Sequence, residues 1–153
     1  MNAAPDRSVR PADELAIEQA FTRVWLERMA GLPFLNEQLR VEAIGFRDWQ
    51  GVRVGALVTP WSVNLLVLPA PNAVLPPVRP GDTHAWSFPS GDYGFDGHDD
   101  PALGRYHQHS LFSPVAEFET HAEAVTVAQE ALEALFRPAG PARLSRRELL
   151  LGA

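Results

Sequence analysis

Neither cysteine nor lysine occurs in the 153 residues. Without cysteine there is no disulfide framework, no thiolate zinc site, no iron–sulfur ligation and no thiol nucleophile. Without lysine there is no phosphate loop of the G-x-x-x-x-G-K-S/T kind, and none is present in outline. All 13 cations are arginines, against 19 acids, for a net charge of −6. An acidic chain repels phosphate, so nucleic acid is not an expected partner. No apolar run reaches the length of a membrane span, so no direct membrane insertion is expected. The stretch from Met1 to Arg10 is polar and lacks the apolar centre of a secretory signal. The chain is therefore expected to work in the cytoplasm.

The dinucleotide fingerprint G-x-G-x-x-G and the nucleophile elbow G-x-S-x-G are also missing. Ser90 stands in a Pro-Ser-Gly turn with no paired base in sight, so it reads as a turn residue. What is present fits one globular domain: 46% hydrophobic and 21% charged residues are enough for a single core. The charge is unevenly spread. Between Asp82 and Glu123 eight acids face Arg105 alone, whereas Arg137 to Ala153 carries four arginines against Glu148. An acidic middle and a basic tail attract each other, or attract partners of opposite sign. The plainer reading is a solvated acidic face and a loose tail.

The pattern predicts a disordered segment over 1–10, a single domain over 11–137 and a basic tail over 138–153. A first helix starts near Pro11 to Asp13, follows a stripe of Ile17, Phe21, Val24, Trp25 and Met29, and stops at Gly31. Strands are predicted at Val41 to Phe46, Val52 to Thr59 and Val63 to Leu68. The last barely alternates, as a central strand covered on both faces does. Pro69 to Pro80 is a loop. His84 to Phe88 and Tyr93 to Gly97 form a hairpin, His98 to Gly104 an acidic loop, and Tyr106 to Phe112 a final strand stopped at Pro114. Thr120 and Glu123 form a capping box opening a second helix that ends before Pro138. The sum is an α+β fold: a two-layer sandwich, mostly antiparallel, with the N-terminal and C-terminal helices packed on one face.

Histidine offers the best lead to metal or enzyme chemistry. His107 and His109 alternate on one strand and share a face, and His98 lies among acids. A third ligand for the pair has no obvious source. A small metal-binding protein or metal-dependent enzyme using His98, His107 and His109 is the alternative reading; no resident metal or cofactor is expected, and His84 and His121 read as structural.

Three ordered blocks carry a resemblance. The first is Gly45-Phe46-Arg47-Asp48-Trp49-Gln50-Gly51, leading to Thr59-Pro60-Trp61 and Asn64-Leu65-Leu66. The second is Phe88-Pro89-Ser90-Gly91 with Tyr93 and Phe95. The third is Leu103-Gly104, Tyr106, Ser110-Leu111-Phe112-Ser113-Pro114 and Glu117-Phe118. Together the chain resembles the HybE/HupJ family of [NiFe]-hydrogenase maturation chaperones. The resemblance implies a non-catalytic helper that binds the immature small subunit of an uptake hydrogenase. Its twin-arginine signal peptide is the expected handle, with the large subunit and other maturation factors as further possible partners.

Such a signal peptide carries two adjacent arginines followed by an apolar segment. A receptor needs carboxylates beside an apolar surface, and Asp92, Asp96, Asp99 and Asp100 offer the first. Trp61, Trp86, Phe88 and Phe112 offer the second, although Trp86 and Phe112, as large aromatics on strands, are read first as core. Asn64, set in an apolar strand, must find a partner, either structural or in a client. The tail holds Ser145-Arg146-Arg147-Glu148-Leu149-Leu150, which imitates a twin-arginine motif. Ser145, Arg146, Arg147, Leu149 and Leu150 are the residues that would mimic a client in its groove; the competing reading is a short capping helix.

Overall fold

The computed structural model describes residues 12–112 and 115–138. The segment 1–10, the stop at Pro114 and the tail motif from Ser145 to Leu150 lie outside the described residues.

Helix α1 spans Ala12–Val24 and continues into a wider π-helical turn, Trp25–Met29. There the Ala30 N–H donates to the Trp25 carbonyl five residues back at 2.7 Å. Six strands follow: β1 Glu42–Trp49, β2 Val52–Thr59, β3 Ser62–Pro69, β4 His84–Phe88, β5 Gly91–Asp100 and β6 Gly104–Phe112, then helix α2, His121–Leu135. All pairings are antiparallel, in the order β1-β2-β3-β6-β5-β4.

Local chemistry explains the joints. Gln50 and Gly51 both take positive φ, 46° and 84°, the geometry of the tight two-residue hairpin turn that matches strand twist. The turn is therefore a two-residue one, with Trp49 pairing Val52 directly across it. Gly45, at φ 64°, sits where the β1–β2 register shifts, and a Cβ there would stand 2.8 Å from Leu132 Cδ2. The bulge brings α2 close to the sheet. Thr120 caps α2 by accepting from the Glu123 N–H at 3.1 Å, and Glu123 reaches back to the Glu119 N–H at 2.8 Å. His121 ties the helix start to β1. Its Nδ1 accepts from the Arg40 N–H at 3.2 Å, so its Nε2–H donates to Glu42 at 2.8 Å.

β3 is central and buried throughout except at Pro69. Its two faces feed two different cores. Val63, Leu65 and Val67 join Val54, Ala56, Val58 and the α2 residues Ala124, Ala128, Leu132 and Leu135. Leu66 and Leu68 join Leu57, Tyr106 and the α1 residues Ile17, Ala20 and Phe21. The α+β content, the antiparallel sheet and the two terminal helices agree with the sequence reading. The layering does not: the helices lie on opposite faces, so the fold has three layers over β1–β3. The reason is that β2 and β3 are apolar on both sides, and each side requires its own cover.

A second difference is β5. The expected acidic loop from His98 is strand as far as Asp100, because β6 pairs with it from Asp96 to Asp100 while β4 pairs with its first half. Among the described residues, no helix is long and apolar enough to cross a membrane.

Candidate functional site

The helices cover the sheet unevenly. α2 lies over β1, β2 and β3, and α1 lies against β1. On the α2 side of the other half, the loop between β3 and β4 supplies the cover. Leu75 enters that core, Arg105 donates to the Leu75 carbonyl at 2.9 Å, and Val78 sits over Gly97. On the α1 side of β4, β5 and the end of β6, the cover among the described residues is slight: Thr83 packs over Gly94. Ala85, Ser87, Asp92, Gly94, Asp96 and Ser110 are all exposed.

Strand alternation assembles this open half-face. Asp96 pairs with Gln108, which pairs with Leu66 on the α1 side; Asp92 pairs with Ser87, and Gly94 with Ala85. Side chains directly opposite in a ladder share a face, so Asp92 and Asp96 look out over small or polar neighbours. Asn64 lies on the same side, between Leu57 and Ser110. It is 3% exposed, and its Nδ2 donates to Ser62 Oγ at 2.9 Å while Oδ1 has no partner among the described residues. Turning the amide over would satisfy Ser62 with the oxygen and strand the nitrogen instead. Either way one end of a buried amide is left unpaired, which is costly and demands an explanation.

The other predicted residues separate. Trp61, in the β2–β3 turn, is half-buried against the α1 core. Phe88 is corrected from surface to core. It is buried on the α2 side among Trp49, Tyr93, Phe95 and Phe136, because β4 turns His84, Trp86 and Phe88 that way. Asp99 alternates to the face opposite Asp96. Asp100 holds the β5–β6 turn, its Oδ2 accepting from the Ala102 and Leu103 N–H groups at 2.8 and 3.0 Å. Trp86 and Phe112 are partly buried against the α2 core.

The histidines divide between faces. His98 stacks on Tyr106 on the α1 side with centroids 5.4 Å apart, and its Nε2 is buried without a partner among the described residues. Burial, with Asp100 second, pushes the Tyr106 phenol up to about 12. His107 and His109 face the α2 side. Trp86 Nε1–H donates to His107 Nδ1 at 3.0 Å, so His107 Nε2–H donates to the Pro76 carbonyl at 2.9 Å. His107 is fully buried, and that burial lowers its pKa, outweighing the Pro76 hydrogen bond. His109 bonds the Gly94 carbonyl at 2.8 Å. The strand pair shares a face as expected, but His98 points away, and among the described residues no three His, Asp or Glu side chains converge.

The sequence reading did not single out three exposed apolar side chains. Leu26 is 67% exposed and Phe34 49%, with Leu32 at 37%. Leu26 rides the π-helical turn, whose Arg28 is near enough to Tyr106 to act on its phenol. Phe34 precedes Asn36, which fastens its loop to Pro60, Val115 and Phe118. The only sequence signal was that Leu26 falls off the helical stripe. A cleft of about 580 Å³ opens near the start of α1, lined by Ala16, Leu68, Pro69, Pro71 and Leu103. Its Arg53 is engaged by Asp13 at 2.6 Å and Asp48 at 3.3 Å.

Comparison with known proteins places these features in context. Residues 12–152 match the family model described as "[NiFe]-hydrogenase assembly, chaperone, HybE". The hydrogenase expression/formation protein HupT of Azotobacter chroococcum mcd 1 is 43% identical over 135 residues, covering 86% of this chain and 89% of that one. The hydrogenase expression/formation protein HoxT of Azotobacter vinelandii is 41% identical over 139 residues, covering 86% and 90%. The solution structure of HybE from Escherichia coli shares the fold, with a TM-score of 0.65 at 20% identity, over 84% of this chain and 79% of that one.

Proposed function

The chain belongs to the HybE family of [NiFe]-hydrogenase assembly chaperones, and from that premise we propose that it grips the immature small subunit by its twin-arginine signal peptide. The observation that carries this reading is the open half-face: two carboxylates, Asp92 and Asp96, exposed and without an ion-pair partner among the described residues. A guanidinium set against them makes charge-assisted hydrogen bonds, the strong kind. Leu26, Leu32 and Phe34 offer apolar surface for the segment that follows the arginines. The stranded end of Asn64 supplies a buried hydrogen-bonding group that a client can complete.

In this reading the protein acts by binding, in the cytoplasm, and carries no catalytic group. The large subunit and other maturation factors would be met in the same complex. The C-terminal Ser145-Arg146-Arg147-Glu148-Leu149-Leu150 segment competes for the face as an internal imitation of the client.

The test is calorimetric titration of the full chain with a synthetic small-subunit signal peptide. Saturable binding is expected, weakened about tenfold or more by Asp92→Asn with Asp96→Asn, as loss of a charge-assisted pair requires. Binding of a small subunit lacking its signal, with none to the peptide, would overturn it.

A further inference from the structure

The sheet has two edges, and they are treated differently. At β1 the outward amides are occupied by helix α1. The Ala43 N–H donates to Glu18 at 2.8 Å and the Phe46 N–H to Glu14 at 3.1 Å. Those carboxylates cap a row of donors that would otherwise invite another strand. β4 is the opposite edge, and among the described residues its backbone pairs with β5 alone. Its two faces also differ. On the α1 side it shows only Ala85 and Ser87, with Gly94 and Asp92 beside them on β5. On the other side it shows the partly exposed Trp86. That indole is held by its bond to His107 at 3.0 Å and by His84 packed 5.0 Å away.

We propose that the client's two adjacent arginines are read by strand addition to β4, one on each face of the sheet. The proposal deepens the signal-peptide reading and rests on it. In an extended strand, neighbouring side chains point to opposite faces, so two consecutive arginines cannot both reach the carboxylates. One lies over Ala85 and Ser87 toward Asp92, with Thr83, packed against Gly94, standing between it and Asp96. Two strand spacings of about 4.8 Å separate an added strand from β5. An arginine and an aspartate close that gap between them when no bulky side chain intervenes. The other arginine stacks on the Trp86 indole, a cation–π contact. Both contacts favour the planar guanidinium over a lysine ammonium. The pairing thus gives a physical reason why two adjacent arginines, and not one, make the recognition element. Main-chain hydrogen bonds supply affinity and the two faces supply specificity, as in other strand-addition complexes.

The test uses a short synthetic peptide containing Ser-Arg-Arg-Ala-Phe-Leu, titrated into the full chain. N-methylation of successive backbone nitrogens should weaken binding in alternation. One parity loses about tenfold, the equivalent of one or two hydrogen bonds, and the other changes little. Replacing each arginine in turn by citrulline should separate them. One replacement should have no further effect in the Asp92→Asn, Asp96→Asn variant, and the other none in Trp86→Leu. Because the N-methyl and citrulline series alter only the peptide, the alternation reads out even if Trp86→Leu disturbs the fold. Equal sensitivity at both parities, or both arginines coupling to the same side chains, would overturn strand addition while leaving signal-peptide recognition standing. An unmodified peptide that does not bind would overturn both.

Discussion

Asn64→Leu is expected to make the protein more stable and a poorer chaperone. The amide sits 3% exposed in a strand buried at every residue but Pro69, one end bonded to Ser62 at 2.9 Å and the other bonded to nothing among the described residues. Burying an unpaired amide group costs about 1–3 kcal/mol. Leucine has the same branching and number of side-chain heavy atoms, although it is bulkier; it removes that cost and adds apolar burial worth about 1.5–3 kcal/mol if fully enclosed. Against this stands the lost bond to Ser62, about 1 kcal/mol, softened because Ser62 Oγ keeps Thr59 Oγ1 at 3.3 Å. Incomplete accommodation of a branched side chain takes back part of the gain. The net is about 2 kcal/mol of added stability. For a chain of this size that is a rise in Tm of about 4–8 °C. Thermal and urea melts of the two proteins measure it directly. If the variant melts at or below the parent temperature, the stranded atom is satisfied in solution and Asn64 is structural. If it melts higher and still binds signal peptide unchanged, Asn64 is no ligand.

Three further outcomes follow from particular contacts. Burial holds the pKa of His107 below its ordinary 6.5. The unfolded chain therefore takes up a proton that the folded chain resists, so stability is full above pH 6.5 and declines as pH falls below it. A His107→Gln variant should show a flatter pH dependence in urea melts. A Cβ at Gly55 would come within 2.3 Å of the Phe46 ring, so Gly55→Ala should cost about 1–3 kcal/mol, relieved in combination with Phe46→Leu. A chain cut after Pro141 should bind signal peptide more tightly than the full chain in the same titration. Unchanged or weaker binding would end the case for the tail as an internal competitor.

The parts of this fold that were legible in the sequence are those set by short-range chemistry. Thr120 with Glu123 caps a helix wherever it sits, and Val63 to Leu68 alternates too little to be anything but a covered central strand. What was hidden is a matter of faces. Helical spacing tells which side of α1 or α2 is apolar; it does not tell which side of the sheet that stripe meets. Yet β3 carries Leu65 into one core and Leu66 into the other. A strand apolar on both sides needs cover on both, and with two helices the solution is one on each. The same parity sorts the acids. Once β5 is known to continue past Asp96, alternation places Asp92 and Asp96 together and sends Asp99 to the other side. Local composition argued against that continuation, because Asp96-Gly97-His98-Asp99-Asp100 has little strand propensity. Pairing with β6 overrode it. Phe88 was misplaced for the same reason: its neighbour Ser87 holds the open side, so Phe88 must turn inward. An aromatic-poor outer face on a free edge strand is thus a consequence of where the core lies.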